Sequence, residues 1–275
     1  MARYAVFGNP IGHSRSPAIH TTFAEETKQP LTYEAICAPL DGFAATVHEF
    51  AASGGKGLNV TVPFKEEAWA LADTRSDRAE LAGAVNTLTI ADDGSLHGDN
   101  TDGIGIVRDI KINHGFDFSN KRVLVLGAGG AVRGVLQVIL QEQPKEVVVA
   151  NRTAEKAQAL AELFQAYGHI HATAIEQLAG EFDLIINGTA ASLQGSMINL
   201  PAGLVGTHTW CYDMMYSADL TPFNQWAKSQ GAEKQLDGLG MLVEQAAESF
   251  YIWRGVKPQT KPVIAAIREQ LTQGK

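Results

Sequence analysis

Val123-Leu124-Val125-Leu126-Gly127-Ala128-Gly129-Gly130-Ala131-Val132-Arg133-Gly134 decides the fold. Four apolar residues read as a buried strand, and a glycine-rich turn then leads into an apolar helix over 131–141. Gly127 permits the tight turn, and Gly129 lets backbone approach a pyrophosphate at the positive helix N-terminus. Val132 stands at the sixth position of the motif, where a third glycine is usual. A glycine-rich turn without a ligand is the alternative, but the sequence beyond it keeps the rhythm of a parallel sheet: strand 147–150, helix 154–167, strand 184–186.

The second strand bears on the choice of cofactor. An NAD-binding version ends it with an acid for the ribose 2′-hydroxyl, whereas here Asn151-Arg152-Thr153 follows. Arg152 offers a planar, permanent charge suited to a 2′-phosphate, and Lys156 adds a second charge one turn on, so NADP is favoured over NAD. The other reading makes Arg152 and Lys156 solvated surface charges and Thr153 a helix N-cap.

Outward from this unit, the N-terminal part alternates strand and helix: strand 4–7, a helix from Pro17 through His20 and Phe23, strand 31–37, helix 43–53, strand 58–62 and helix 68–71. Residues 84–90 and 95–97 read as a hairpin about Asp92-Asp93-Gly94. Residues 210–212 add a strand, and Leu242, Ala246, Phe250 and Trp253 have the spacing of a buried helix face returning to the first domain. The expected fold class is α/β: an N-terminal α/β domain at 1–102, completed by 238–275, and a Rossmann-like parallel-sheet domain at 103–237.

Composition limits the function. A length of 275 residues suits two domains, and 45% hydrophobic with 19% charged residues is ordinary for a soluble enzyme. A net charge of -8 argues against a nucleic-acid partner, so an anionic ligand must be held by locally placed cations. Cys37 and Cys211 are too few for a disulfide framework and lack metal spacing, which favours reduced thiols in a cytoplasm. Pro10 ends the first apolar run, no secretory segment is expected, and no apolar run approaches a membrane span. The 8 histidines share no ligand spacing, and no metal is expected.

Several polar residues break the apolar pattern where chemistry needs them. Ser14 and Ser16 flank a turn before Pro17, where hydroxyls either bind a carboxylate or polyol or cap the helix. Lys65 closes Asn59-Val60-Thr61-Val62-Pro63-Phe64-Lys65 and is either a solvated lysine or a proton-transfer group. Asn59 and Thr61 share strand parity and so one face. Asn86 and Asp102 occupy polar turns and serve either as Asx-turn residues or as site residues, with Asp102 able to orient Lys65.

Together these stretches resemble the shikimate/quinate dehydrogenase family over nearly the whole chain. The resemblance rests on Gly8-Asn9-Pro10-Ile11-Gly12-His13-Ser14-Arg15-Ser16-Pro17, the segment 59–65, Gly83-Ala84-Val85-Asn86-Thr87, Asp99-Asn100-Thr101-Asp102-Gly103, the glycine turn, Asn151-Arg152-Thr153, Tyr212-Asp213-Met214-Met215-Tyr216 and the segment 237–246. It implies NADPH-dependent, reversible reduction of 3-dehydroshikimate to shikimate in aromatic amino-acid biosynthesis, with the substrate between the two domains. It also implies that Ser14, Ser16, Thr61, Lys65, Asn86, Asp102 and Gln245 contact shikimate, that Tyr216 closes the site, and that Lys65 and Asp102 form the catalytic pair. For the cofactor it implies Gly127, Ala128, Gly129, Gly130, Ala131, Asn151, Arg152, Thr153, Lys156, Thr189, Met214, Gly238 and Met241. Two departures stand out: Thr21 follows His20 where asparagine is common, and Asn187-Gly188-Thr189-Ala190 replaces an Asn-Ala-Thr-Ser pattern. A monomer or homodimer is expected. A quinate or dual-specificity dehydrogenase is the near alternative, and a catalytically silent NADPH-binding regulator the distant one.

Overall fold

A computed structural model describes residues 1–189, 191 and 198–274, and packing divides the chain into one unit of 1–105 with 243–263 and another of 106–242 with 264–275. The return to the first unit therefore ends at residue 263, short of the expected C-terminus. Beyond it Arg268 is tied into the second unit, donating to the Ser217 carbonyl at 3.0 Å and pairing with Asp237.

The first unit runs β1 (Ala2–Gly8), α1 (Ser16–Glu26), β2 (Leu31–Cys37), α2 (Phe43–Ala52), β3 (Gly55–Val60), α3 (Lys65–Leu71), β4 (Thr74–Arg75), α4 (Asp77–Ala82), β5 (Thr87–Ile90) and β6 (Leu96–Asp99), and α5 (Asp102–Arg108) starts in it. Its six-stranded mixed sheet has the order β2-β1-β3-β5-β6-β4. The Asp92-Asp93-Gly94 hairpin forms, with the Ala91 N–H on the Ser95 carbonyl at 2.9 Å. Its first strand begins at Thr87 rather than 84: Ala84 and Val85 precede the ladder, while the Asn86 backbone still accepts from Val60 at 2.8 Å and donates to Asp99 at 3.1 Å. Strand periodicity divides the sheet's two faces. Leu58 and Val60 of β3 and Leu88 and Ile90 of β5 join Phe7, Phe43, Val47 and Phe50 in the apolar core, which leaves Asn59 and Thr87 on the other face. Register aligns Asn59 with Thr87 and Thr87 with Asp99, a row of polar residues across three strands.

The second unit contains β7 (Arg122–Leu126), α6 (Gly130–Gln141), β8 (Glu146–Asn151), α7 (Ala154–Phe164), β9 (Ile170–Ala174), β10 (Phe182–Asn187), β11 (Val205–Asp213), α8 (Pro222–Ser229) and β12 (Lys234–Asp237). Helix α9 (Leu239–Arg254) starts in this unit, and most of α10 (Lys261–Gln273) belongs to it. All six strands are parallel, in the order β12-β11-β10-β7-β8-β9. Strand order reverses between β7 and β10, which opens a crevice at their carboxyl ends, the usual ligand position in such sheets.

Glycines let the backbones meet there. Gly127 has φ +110°, and a Cβ on it would stand 3.2 Å from the Gly188 carbonyl. A Cβ on Gly188 would stand 2.3 Å from Cγ2 of Val132, which is fully buried. Val132 and Gly188 therefore compensate: the valine at the sixth motif position fills the space that an alanine at 188 would occupy.

The first unit also buries His20 against Tyr33, Phe23, Phe250 and Trp253, with the Tyr33 ring stacked at 4.2 Å. Burial pulls its pKa from 6.5 to about 3, against a smaller opposing effect of Asn59, so the folded protein holds this imidazole neutral.

Two stability measurements follow. Gly188→Ala should cost about 1–3 kcal/mol in denaturant unfolding, and adding Val132→Ala should recover most of that cost; additive losses would separate the two positions. Because the unfolded chain takes up a proton on His20 that the fold excludes, stability should fall with acidification from pH 6.5 downwards. Between pH 6.5 and about pH 5 the protein should lose about 1–2 kcal/mol more than His20→Phe, whereas parallel profiles would refute the neutral buried ring.

Candidate active site

In the first unit the polar face of the sheet carries a connected set of side chains. Lys65 begins α3 and Asp102 begins α5, and Nζ donates to Oδ2 at 2.6 Å. The side chains are 30% and 12% exposed, so the pair is reachable from solvent while the carboxylate is mostly covered. Asn86 donates through Nδ2 to the second Asp102 oxygen at 2.9 Å and to Gln245 Oε1 at 3.2 Å. The orientation of Asn86 is fixed, because its Oδ1 accepts the Thr101 backbone N–H at 2.9 Å and that group can only donate. Lys65, Asn86, Asp102 and Gln245 are thus brought together.

Further back, Asn59 Nδ2 reaches the Asn86 carbonyl at 3.1 Å, Thr87 Oγ1 at 3.2 Å and Ser249 Oγ at 2.9 Å. Thr87 Oγ1 in turn donates to Asn86 Oδ1 at 2.8 Å. Gln245 and Ser249 lie one turn apart on α9 and face the same cluster. Thr87, Thr101 and Ser249 were not singled out from the sequence. The spacing of Gln245 and Ser249 on one helix face was the available signal for the serine.

Ser14 and Ser16 enter differently from the capping expectation. Arg15 holds the N-cap position of α1 without a side-chain cap bond, and Ser14 Oγ accepts the Ser16 N–H at 3.3 Å. The helix starts one residue earlier than a Ser16 cap requires, and Ser16 is buried inside its first turn. Thr61 lies just beyond β3, where its N–H bonds the Phe7 carbonyl at 2.9 Å and its methyl would stand 2.6 Å from a Cβ at Gly8.

In the second unit Gly129 is the N-cap of α6 and makes no side-chain cap bond. A Cβ on Gly129 or Gly130 would meet nothing within 4 Å, so open space lies before the first-turn N–H groups. Gly127, Ala128, Gly129, Gly130 and Ala131 together form a backbone cradle that fits a pyrophosphate. Arg152, Thr153 and Lys156 are exposed at the carboxyl end of β8, and Asn151 Nδ2 bonds the Thr153 carbonyl at 3.0 Å. Thr153 stands at the N-cap of α7 without a side-chain cap bond. These cations fit a phosphate on the adenosine ribose.

Beside the crevice, Thr189 folds back on Asn187, its Oγ1 donating to Oδ1 at 2.7 Å, while Ala190 lies outside the described residues. Met214 takes its N–H to the Asn187 carbonyl at 2.9 Å. Gly238 must be glycine, since a Cβ would stand 2.1 Å from the Met214 carbonyl oxygen. Met241 lies in the first turn of α9, its backbone beside the Tyr212 hydroxyl, which donates to buried Asp109 at 2.8 Å. Burial and that carboxylate push the Tyr212 phenol up. Tyr216 is half-buried just beyond β11. Among the described residues no helix is long and apolar enough to cross a membrane.

Comparison with known proteins agrees with this geometry. Residues 6–88 match the shikimate dehydrogenase substrate binding domain, 110–196 match shikimate/quinate 5-dehydrogenase, and 238–268 match the shikimate 5′-dehydrogenase C-terminal domain. A shikimate dehydrogenase (NADP(+)) of Alkalilimnicola ehrlichii is 58% identical over 268 residues, 98% of this chain and 99% of that relative. Among solved structures, an Ael1 enzyme from Pseudomonas putida is 47% identical with a TM-score of 0.93, covering 99% of this chain and 98% of its own. Shikimate 5-dehydrogenase from Thermus thermophilus, in complex with NADP(H) and shikimate, is 36% identical with a TM-score of 0.87, covering 98% and 99%. Matches of this extent, spanning both units, mean that the chain belongs to the shikimate dehydrogenase family.

Proposed function

We propose that this chain catalyses the reversible NADPH-dependent reduction of 3-dehydroshikimate to shikimate, within aromatic amino-acid biosynthesis. The observation that carries the reading is the Lys65–Asp102 pair at 2.6 Å, locked by Asn86, in a chain of this family. In this reading the first unit binds the substrate and the second binds NADP. The protein acts in the cytoplasm, as a monomer or homodimer.

The hydride for the ketone carbon would come from NADPH held by the second unit. The chain's own task is the proton at the ketone oxygen. Lys65 has three ammonium donors and Asp102 takes one, so a donor remains for the reacting oxygen. As the ketone becomes an alcohol, Nζ delivers the proton, and at 30% exposure Lys65 regains it from water. Asp102 fixes the rotamer of Lys65 and grips a neighbouring substrate hydroxyl, while Asn86 keeps the carboxylate from turning. Ser14, Ser16, Thr61 and Gln245 hold the remaining hydroxyls and the carboxylate, and Tyr216 closes over them. Arg152 and Lys156 bind the 2′-phosphate, Gly127 to Ala131 the pyrophosphate, and Asn151, Thr153, Thr189, Met214, Gly238 and Met241 complete the cofactor contacts.

Steady-state assays with shikimate or quinate, each with NADP+ or NAD+, test the assignment. Shikimate with NADP+ should give the highest kcat/KM, and a quinate/NAD+ preference, or NADPH binding without turnover, would reject it. Lys65→Ala should lower kcat by about 10²- to 10⁴-fold with a much smaller change in shikimate affinity. Turnover like that of the parent protein would remove Lys65 from the proton step.

A further inference from the structure

Tyr33, on β2, lies outside every motif that marks the family resemblance. Its ring is buried and stacks on His20 with 4° between the planes. Its hydroxyl meets Asn59 Oδ1 at 2.7 Å. The direction of that bond is settled by the other end of the amide. Asn59 Nδ2 faces the Asn86 carbonyl, which only accepts, so Oδ1 must be the end toward Tyr33 and the phenol must donate.

From Asn59 the line continues without a break. Nδ2 reaches Thr87 Oγ1 and Ser249 Oγ, Thr87 donates to Asn86 Oδ1, Asn86 Nδ2 holds Asp102 Oδ1, and Asp102 Oδ2 holds Lys65. We propose that Tyr33 is a positioning residue for the Lys65–Asp102 pair, so that one buried hydrogen-bond line sets both the grip of Asp102 on a substrate hydroxyl and the placement of the proton donor. A tyrosine in this place for packing alone would need only its ring, which His20 already stacks. Its hydroxyl satisfies an amide oxygen that is buried, and leaving such an acceptor without a donor is costly.

The proposal rests on the functional reading above. Tyr33→Phe keeps the ring and deletes one hydroxyl. In shikimate oxidation it should raise the shikimate KM about 5- to 20-fold, with a smaller fall in kcat and an NADP+ KM within about twofold of the parent. Combined with Ser249→Ala, which loosens the same Asn59 amide, the loss should fall short of the sum of the two single variants. An unchanged shikimate KM, additive losses, or an equal rise in the NADP+ KM would overturn the role. If Tyr33→Phe shows no cooperative unfolding transition, Ser249→Ala serves instead, with an expected rise of about 2- to 5-fold in the shikimate KM and no change as the refuting result. Shikimate affinity measured by calorimetry without turnover separates the two readings. Loss of turnover in the parent protein removes the function, whereas an unweakened shikimate affinity in Tyr33→Phe removes the role of Tyr33.

Discussion

The Asn86 side-chain amide has two unlike ends, and one backbone N–H decides which end faces Asp102. Thr101 lies between the end of β6 at Asp99 and the start of α5 at Asp102, so its N–H is free of both ladder and helix and binds Asn86 Oδ1 at 2.9 Å. Turning the amide over would set Oδ1 against a carboxylate oxygen and Nδ2 against an N–H, two repulsive contacts in a buried place. Asp102 is therefore given a donor on each oxygen, Asn86 on one and Lys65 on the other, and its plane is fixed. The position of Lys65 follows from a strand ending where it does.

Sequence pattern made the second unit legible. The 123–126 strand, the glycine turn and the helix after it are periodic and local, and the parallel order around β7 follows from repeated βαβ units. Edge elements were harder to read. In β9, Ile170 is the buried residue of a strand otherwise exposed or half-buried, and every residue of β12 is half-buried, so neither has a strong apolar signal. Helix α4 was missed although Ser76 caps it through the Ala79 N–H and Gly83 ends it in the left-handed region; six residues are too few to develop a period. In Val132 and Gly188 the sequence displayed two anomalies 56 positions apart, and only the touching of β7 and β10 at their carboxyl ends made them one fact.

The polar cluster was legible as residue types and not as contacts. Lys65 and Asp102 are 37 residues apart, and each has a bland local reading, one as a solvated lysine and the other as a turn aspartate. Strand register does what local pattern cannot. It sets Asn59, Thr87 and Asp99 side by side, and the residues just outside that row, Asn86 and Asp102, then come within hydrogen-bonding distance. Tyr33 and Ser249 arrive from β2 and α9, where the helical spacing from Gln245 pointed to the serine and no motif pointed to the tyrosine.

The same two strands have opposite duties on their two faces. Leu58, Val60, Leu88 and Ile90 pack into the apolar core, which supplies the net stability, while Asn59 and Thr87 extend the hydrogen-bond line. A buried polar line adds little to stability over an apolar core of equal volume, and each broken link leaves a costly orphan. Its worth lies in uniqueness, since only one arrangement satisfies every donor and acceptor. A one-residue slip of β3 against β5 would turn Asn59 into the core and Leu58 toward Asp102, at a penalty on both faces. The register that keeps the core apolar is thus the register that places the Lys65–Asp102 pair, so the fold cannot rearrange that cluster without exposing its own core.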